Sequence, residues 1–218
     1  MVLRNLDMKY SPGNPTDELK HSHLEKLAGL LDFDTYVEFH SGEGSYRDGD
    51  RTVYDGSARR VMRVASERDK KLEVHLHEIN QKTRRKLKRN IKDLHEQHTI
   101  KVFGDWRDRI EHYVNSANKS WIILIDPYSP SDYREGTPSL LDALGKLLPT
   151  QANLFIYANE YTKNPNSISV VPEIKEILKN SGRAFEEKTL EIRRGHYSRA
   201  DHVIVIADVT SASTNHSL

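Results

Sequence analysis

Four short apolar stretches are each followed by residues that can accept, donate or relay a proton. Tyr36-Val-Glu-Phe-His40 runs into Ser41-Gly-Glu-Gly44, and Leu72 to Leu76 precedes Glu78. Thr99 to Phe103 precedes Asp105, and Trp121 to Ile125 runs into Asp126-Pro-Tyr128. Glycines such as Gly42 and Gly44 allow a backbone to approach a ligand closely. A carboxylate such as Glu78 suits a vicinal diol, and Asp126 could orient a nucleophile and take its proton. Each feature has a plainer reading. Gly42 to Gly44 is also an ordinary turn, Glu78 and Asp105 are also helix caps, and Asp126-Pro127 also closes a strand. Their appearance in one order on successive strands favours a shared site.

The elements that must hold these residues follow from apolar periodicity. Leu19, Leu24, Leu27, Leu30 and Leu31 recur at helical spacing from Thr16 to Leu31, with Thr16 or Asp17 as the cap. Further helices are predicted from Ser57 to about Lys70, from about Asn80 to His95, and after Asp105. Others follow from Ser139 to Leu147 and from Pro172 to the terminating Gly182. Strands are predicted over 36–40, 72–76, 99–103, 121–125 and 153–158, ending in a hairpin of about 184–193 and 202–207. Alternating strands and helices require crossovers and therefore a mainly parallel, doubly wound α/β sheet with helices on both faces. Seven strands with a C-terminal antiparallel hairpin is the Rossmann-like class I methyltransferase arrangement. One domain over 1–218 is expected: an N-terminal helical segment (1–35), a sheet core (36–210) and a frayed tail (211–218).

In such a sheet the ligand crevice lies outside the carboxyl ends of the strands, where their order reverses. With S-adenosylmethionine as ligand, the glycine loop would meet the methionine part and Glu78 the ribose hydroxyls. Asp105 would lie near the adenine amine, and Asp126 would face the methyl group and its acceptor. Together with Gly13-Asn-Pro-Thr-Asp-Glu-Leu-Lys-His21, His40 to Tyr46, Tyr54 to Ser57 and Leu124-Ile-Asp-Pro-Tyr128, the chain resembles the bacterial large-subunit ribosomal RNA adenine-N6 methyltransferases called methyltransferase J. The resemblance spans roughly residues 10 to 135. It implies donor contacts from His21, His40, Gly42, Gly44, Ser57, Glu78 and Asp105, with Trp106 beside them where the family has Gly. It also implies catalytic roles for Asp126 and Tyr128. The family's helical insertion is reduced to Arg47 to Val53, and its Asp-Pro-Pro-Tyr motif has become Asp126-Pro-Tyr-Ser129. A looser resemblance, through Gly42-Glu-Gly-Ser-Tyr46 and Asp55-Gly-Ser57, links the chain to three-Cys-motif partner proteins.

Lys82, Arg84, Arg85, Lys86, Lys88, Arg89 and Lys92 lie within eleven residues that contain no acidic one. Arg84, Arg85, Lys88 and Arg89 are the candidate contacts to nucleic-acid phosphates, although the run also suits a solvated helix face. The expected activity is methyl transfer to an amine of a nucleic-acid base, with RNA ahead of DNA. The alternative is a catalytically inactive partner protein of the same shape that binds nucleotide or nucleic acid.

Composition removes other classes. The 218 residues carry 33 Lys+Arg against 32 Asp+Glu, so attraction to a polyanion must be local. Without cysteine there is no disulfide framework, thiolate metal site or thiol nucleophile. Eleven histidines include His21/His23, His75/His77 and His95/His98, but none has a recognisable ligand spacing, and no metal is expected. The longest apolar runs are five residues, against the roughly 20 needed to cross a bilayer. No Gly-x-Ser-x-Gly elbow is present. A cytoplasmic location and no membrane contact are expected; the oligomeric state is left open.

Overall fold

A computed structural model describes residues 15–47, 53–127, 129–161, 169–194 and 197–207. Among them lie six α-helices: α1 (Pro15–Leu30), α2 (Ser57–Ser66), α3 (Gln81–Asn90), α4 (Ile110–Ser116), α5 (Leu140–Leu147) and α6 (Val171–Ser181). The strands are β1 (Thr35–Glu38), β2 (Ser45–Arg47), β3 (Val53–Asp55), β4 (Glu73–His77), β5 (Thr99–Phe103), β6 (Trp121–Ile125), β7 (Asn153–Tyr161), β8 (Glu186–Arg194) and β9 (Tyr197–Ile206). Tyr128 and the 211–218 tail lie outside the described residues.

Seven strands form one sheet in the order β5-β4-β1-β6-β7-β9-β8. The first five run parallel, with Val37 level with His75 on one side and Ile123 on the other. β9 is antiparallel to both β7 and β8. The five residues of β6 are all buried, as a strand covered on both faces must be. On one face Val37, Ile123, Ile125, Leu154 and Ile156 pack with residues of α4, α5 and α6. On the other, Tyr36, Val74, Leu76, Ile122, Leu124 and Phe155 pack with α1, α2 and α3. This is the expected doubly wound arrangement of a class I methyltransferase fold. Strand order reverses between β1 and β6, the position at which an open sheet of this kind binds ligands, outside the strands' carboxyl ends.

The element boundaries carry several corrections. α1 begins at Pro15, so neither Thr16 nor Asp17 is its cap. β1 stops at Glu38, and Phe39 and His40 belong to the connection. α2 ends at Ser66, where Asp69 adopts φ +55° in the turn to β4. The basic helix ends at Asn90 and continues only as a 3-10 turn over Lys92–Glu96. A two-stranded ladder, β2 with β3, was not anticipated: it pairs Tyr46 with Tyr54 across the shortened insertion. β9 starts five residues early because it pairs with β7 as far as Tyr161 and with β8 as far as Arg194. Ser139, by contrast, caps α5 as expected, its hydroxyl accepting from the Asp142 N–H at 3.1 Å, and Asp142 completes a capping box.

Candidate active site

The glycine loop after β1 is held from three sides. The Ser41 N–H donates to the His77 carbonyl at 2.9 Å, and the Gly56 N–H to the Gly44 carbonyl at 2.9 Å. From α3, Asn90 Nδ2 donates to the Glu43 carbonyl at 2.8 Å, and Lys86 Nζ meets Glu43 Oε1 at 2.5 Å. Gly44 has φ +74°, and a Cβ there would lie 2.7 Å from Leu87 Cδ1 in the core. Gly44→Ala should therefore cost about 1–2 kcal/mol, chiefly from the left-handed backbone. Gly29→Ala in α1, where a Cβ meets nothing within 4 Å, should leave stability unchanged or raise it by up to about 1 kcal/mol. Urea unfolding of both variants checks this, and a Gly44→Ala protein as stable as the parent would contradict the loop geometry.

Beyond this loop, Glu78 is 4% exposed at the end of β4. Its Oε1 accepts from the Asn80 N–H at 2.7 Å. Burial pushes its pKa up, opposed by the backbone N–H groups of Asn80 and Gly42. Asn80 in turn caps α3, accepting from the Lys82 and Thr83 N–H groups. Between the carboxylate and the cap stands Ile79, 68% exposed. Its only mark in the sequence is that of an isolated apolar residue between two polar ones.

Asp105 caps the 3-10 turn Trp106–Arg109, accepting from the Arg107 N–H at 2.9 Å and from its Nη1 at 3.2 Å. Trp106 is 2% exposed and stacks flat on Phe39 with ring centroids 4.9 Å apart. It thus stands in the core directly behind Asp105. His40 and His21 each hold a buried Nδ1 without a partner among the described residues. Burial, with Arg107 beside it, holds His40 down to about 4. Burial, with Lys20 and Arg60, takes His21 down to about 2. Both imidazoles are neutral at working pH, able to donate through one nitrogen and accept through the other.

At the end of β6, Asp126 Oδ2 lies 2.5 Å from Lys20 Nζ. Lys20 reaches there from the buried face of α1, sits over the Tyr157 ring at 5.1 Å and is 7% exposed. Burial alone would depress its pKa, but Asp126 and Asp17 outweigh that and raise it above the ordinary lysine range. Nearby, Glu38 is 1% exposed and accepts from Tyr36 Oη at 3.0 Å and from the Ser57 hydroxyl. The Ser57 hydroxyl does not cap α2, whose cap is Gly56. Burial, reinforced by the Asp126 charge, pushes Glu38 up to about 7. Lys20 was not singled out from the sequence because a lysine in an amphipathic helix reads as a solvated residue. It lies inside the Gly13-to-His21 motif, but its task comes from a partner 106 positions away.

The structure therefore brings His21, His40, Gly42, Gly44, Ser57, Glu78, Asp105 and Asp126 to one end of the sheet, with Lys20 and Glu38 among them. On α3 it divides the basic residues. Arg84 is turned to the main chain, donating to the Glu78 carbonyl at 2.8 Å, whereas Arg85, Lys88 and Arg89 are exposed, as are Lys82 and Lys92. The histidine pairs have other partners. His75 bonds Glu73 at 2.8 Å and His77 bonds the Tyr113 hydroxyl at 2.5 Å. No group of three or more His, Asp or Glu is placed to hold a metal among the described residues. No helix among them is long and apolar enough to cross a membrane.

No family model and no curated protein matches the chain. Solved structures match its fold. Protein LPL1258 of Legionella pneumophila superposes with a TM-score of 0.68 at 16% identity, over 88% of this chain and 85% of that one. A SAM-dependent methyltransferase of Agrobacterium tumefaciens gives 0.59 at 15%, over 88% of this chain and 62% of that one. An rRNA methylase of Streptococcus thermophilus gives 0.53 at 15%, over 87% and 95%. At these identities the likeness establishes the fold.

Proposed function

We propose that the protein is an S-adenosylmethionine-dependent methyltransferase that modifies an amine of a nucleic-acid base, RNA ahead of DNA, in the manner of methyltransferase J. The observation that carries this reading is a charge-paired Asp126 at the end of β6, beside a glycine loop and two further strand-end carboxylates, on a fold shared with methyltransferases. The residues present fit the donor. Glu78 offers a buried acceptor for a diol, and Asp105 an acceptor for the adenine amine. Ile79 offers an exposed apolar side chain, and the orphaned Nδ1 of His40 a polar contact.

When bound, the cofactor supplies an electrophilic methyl group. The chain supplies orientation, because in-line transfer depends on placing an amine lone pair against that carbon. Asp126 accepts an N–H hydrogen bond from the acceptor and takes or relays the proton as the amine is alkylated. Lys20 pairs with that carboxylate at 2.5 Å and offsets its charge. Glu38, protonated below about pH 7, adds no second negative charge beside it in that range.

Titration with S-adenosylhomocysteine tests the donor half without knowledge of the acceptor. Micromolar binding is expected, weakened at least about tenfold by Asp105→Ala, the scale of one charge-assisted hydrogen bond. Asp126→Asn should bind normally but transfer a labelled methyl group to structured RNA at least about a hundredfold more slowly. Absence of binding by the parent protein would defeat the proposal.

The exposed residues of α3 are proposed to meet phosphates. The double variant Arg85→Glu/Arg89→Glu should weaken RNA binding and flatten the plot of log affinity against log salt by about 1.5. An unchanged salt slope would place the RNA elsewhere.

A further inference from the structure

Trp106 stands where the sequence departs from the methyltransferase J pattern, and the structure gives it and its neighbour Arg107 a distinct task. The Arg107 guanidinium lies over the Trp106 ring at 4.6 Å, and that ring is backed by Phe39. On this platform each arm of the fork has a partner. Nη1 meets Asp105 Oδ1 at 3.2 Å and Oδ2 at 3.3 Å, Nε donates to the Pro138 carbonyl at 3.0 Å, and Nη2 to the Glu135 carbonyl at 2.9 Å. Gly136, at φ +83°, lets the segment come this close: a Cβ there would lie 2.5 Å from both Nε and Nη2. The segment so gripped, 135–138, leads from the Asp126 motif to α5.

We infer that Arg107 is a positioning residue that ties the segment leaving the acceptor motif to the donor-site carboxylate Asp105, so that donor occupancy is felt at the acceptor side. The inference rests on the proposed role of Asp105. A carboxylate has about four acceptor positions. The Arg107 N–H and Nη1 leave room on Asp105 for a ligand amine. A ligand over this carboxylate also excludes water from the Asp105–Arg107 contact, which strengthens a charge-assisted hydrogen bond. The consequence is a tighter 135–138 segment when the donor site is filled. Lysine cannot replace the fork, because one ammonium lacks the planar spread that serves a carboxylate and two carbonyls together.

Amide hydrogen exchange on the full chain, with and without S-adenosylhomocysteine, tests this over peptides covering 134–140. In the parent protein the ligand should slow exchange there at least threefold. Arg107→Ala and Arg107→Lys should bind the ligand within about tenfold of the parent, yet lose that response. Gly136→Ala, which displaces the guanidinium while keeping the residue, should lose it too and stands in if an Arg107 variant fails to fold. A side chain that merely supports the fold would raise exchange equally with and without ligand. Binding by the parent with no change over 134–140, or a full response in the variants, overturns the inference. If the parent binds no S-adenosylhomocysteine, the donor reading has failed and the coupling with it. The tether is then read without ligand: faster exchange over 134–140 in Arg107→Ala upholds it, and unchanged exchange removes it as well.

Discussion

Lys20→Met should lower the free energy of unfolding by about 3–5 kcal/mol, the usual cost of removing one member of a buried ion pair. Lys20 Nζ and Asp126 Oδ2 are 2.5 Å apart, with side chains 9% and 13% exposed. Methionine keeps most of the packing volume but takes the cation away from Asp126, which lies near Glu38 at the apolar end of β6. Restoring charge balance should recover the loss, so Lys20→Met/Asp126→Leu should regain most of the stability while having no transfer activity. Urea unfolding of the parent, the two single variants and the double variant closes the cycle. A Lys20→Met loss below about 1 kcal/mol would mean that Asp126 is solvated or protonated without its lysine, and its catalytic assignment would then need another source of charge.

Acid should destabilise the protein well above the usual carboxylate range. Folding holds His21 down to about 2, His77 to about 3 and His40 to about 4, against 6.5 for an unhindered imidazole, in each case chiefly by burial. Below pH 6.5 the unfolded chain binds protons at these three sites and the folded chain does not, so stability falls as pH falls. Glu38 has the opposite sign. It stays protonated in the fold up to about 7 but ionises near 4.5 when unfolded, so it opposes the trend by one proton. The net difference reaches about two protons near pH 5, a slope of about 2.7 kcal/mol per pH unit there, and shrinks toward pH 6.5, where the unfolded imidazoles are half protonated. His75 and His98 are lowered by burial and add to the histidine sign, while Glu78 is raised by burial and adds to that of Glu38. Unfolding free energies measured at pH 6.5 and 5.0 should differ by about 3 kcal/mol. His77→Gln should flatten the slope by one proton and Glu38→Gln should steepen it. A flat profile over this interval would show that the histidines are hydrated in the folded protein.

Much of the architecture was legible because local sequence and tertiary environment agree. Trp121 to Ile125 is apolar throughout because both faces of β6 are covered. Ser139, Pro172 and Gly182 mark helix ends through chemistry confined to a few residues. The carboxylates Glu78, Asp105 and Asp126 could be placed at one end of the sheet because crossover handedness puts every parallel strand's carboxyl end on the same side. What periodicity could not supply was the length of β7 and β9, which depends on how far two strands distant in sequence continue to pair.

The site divides in the same way. Residue type and position relative to a strand end were enough to nominate His40, Gly42, Gly44, Glu78, Asp105 and Asp126. Partners were not readable, because charge pairing across 106 residues leaves no periodic trace in the chain. Lys20 looked like one polar residue in an amphipathic helix, and Ser57 like the start of one, with nothing to show that Glu38 takes its hydroxyl. Seven cations in eleven residues looked uniform, yet packing on the glycine loop turned Arg84 to the Glu78 carbonyl and Lys86 to Glu43, leaving Arg85, Lys88 and Arg89 outward. The chain alone determined which chemical groups this protein has and at which end of its sheet they lie. Tertiary structure decided which are charged, which are held and which face solvent, because ionisation and hydrogen bonding depend on burial and on neighbours that only folding brings together.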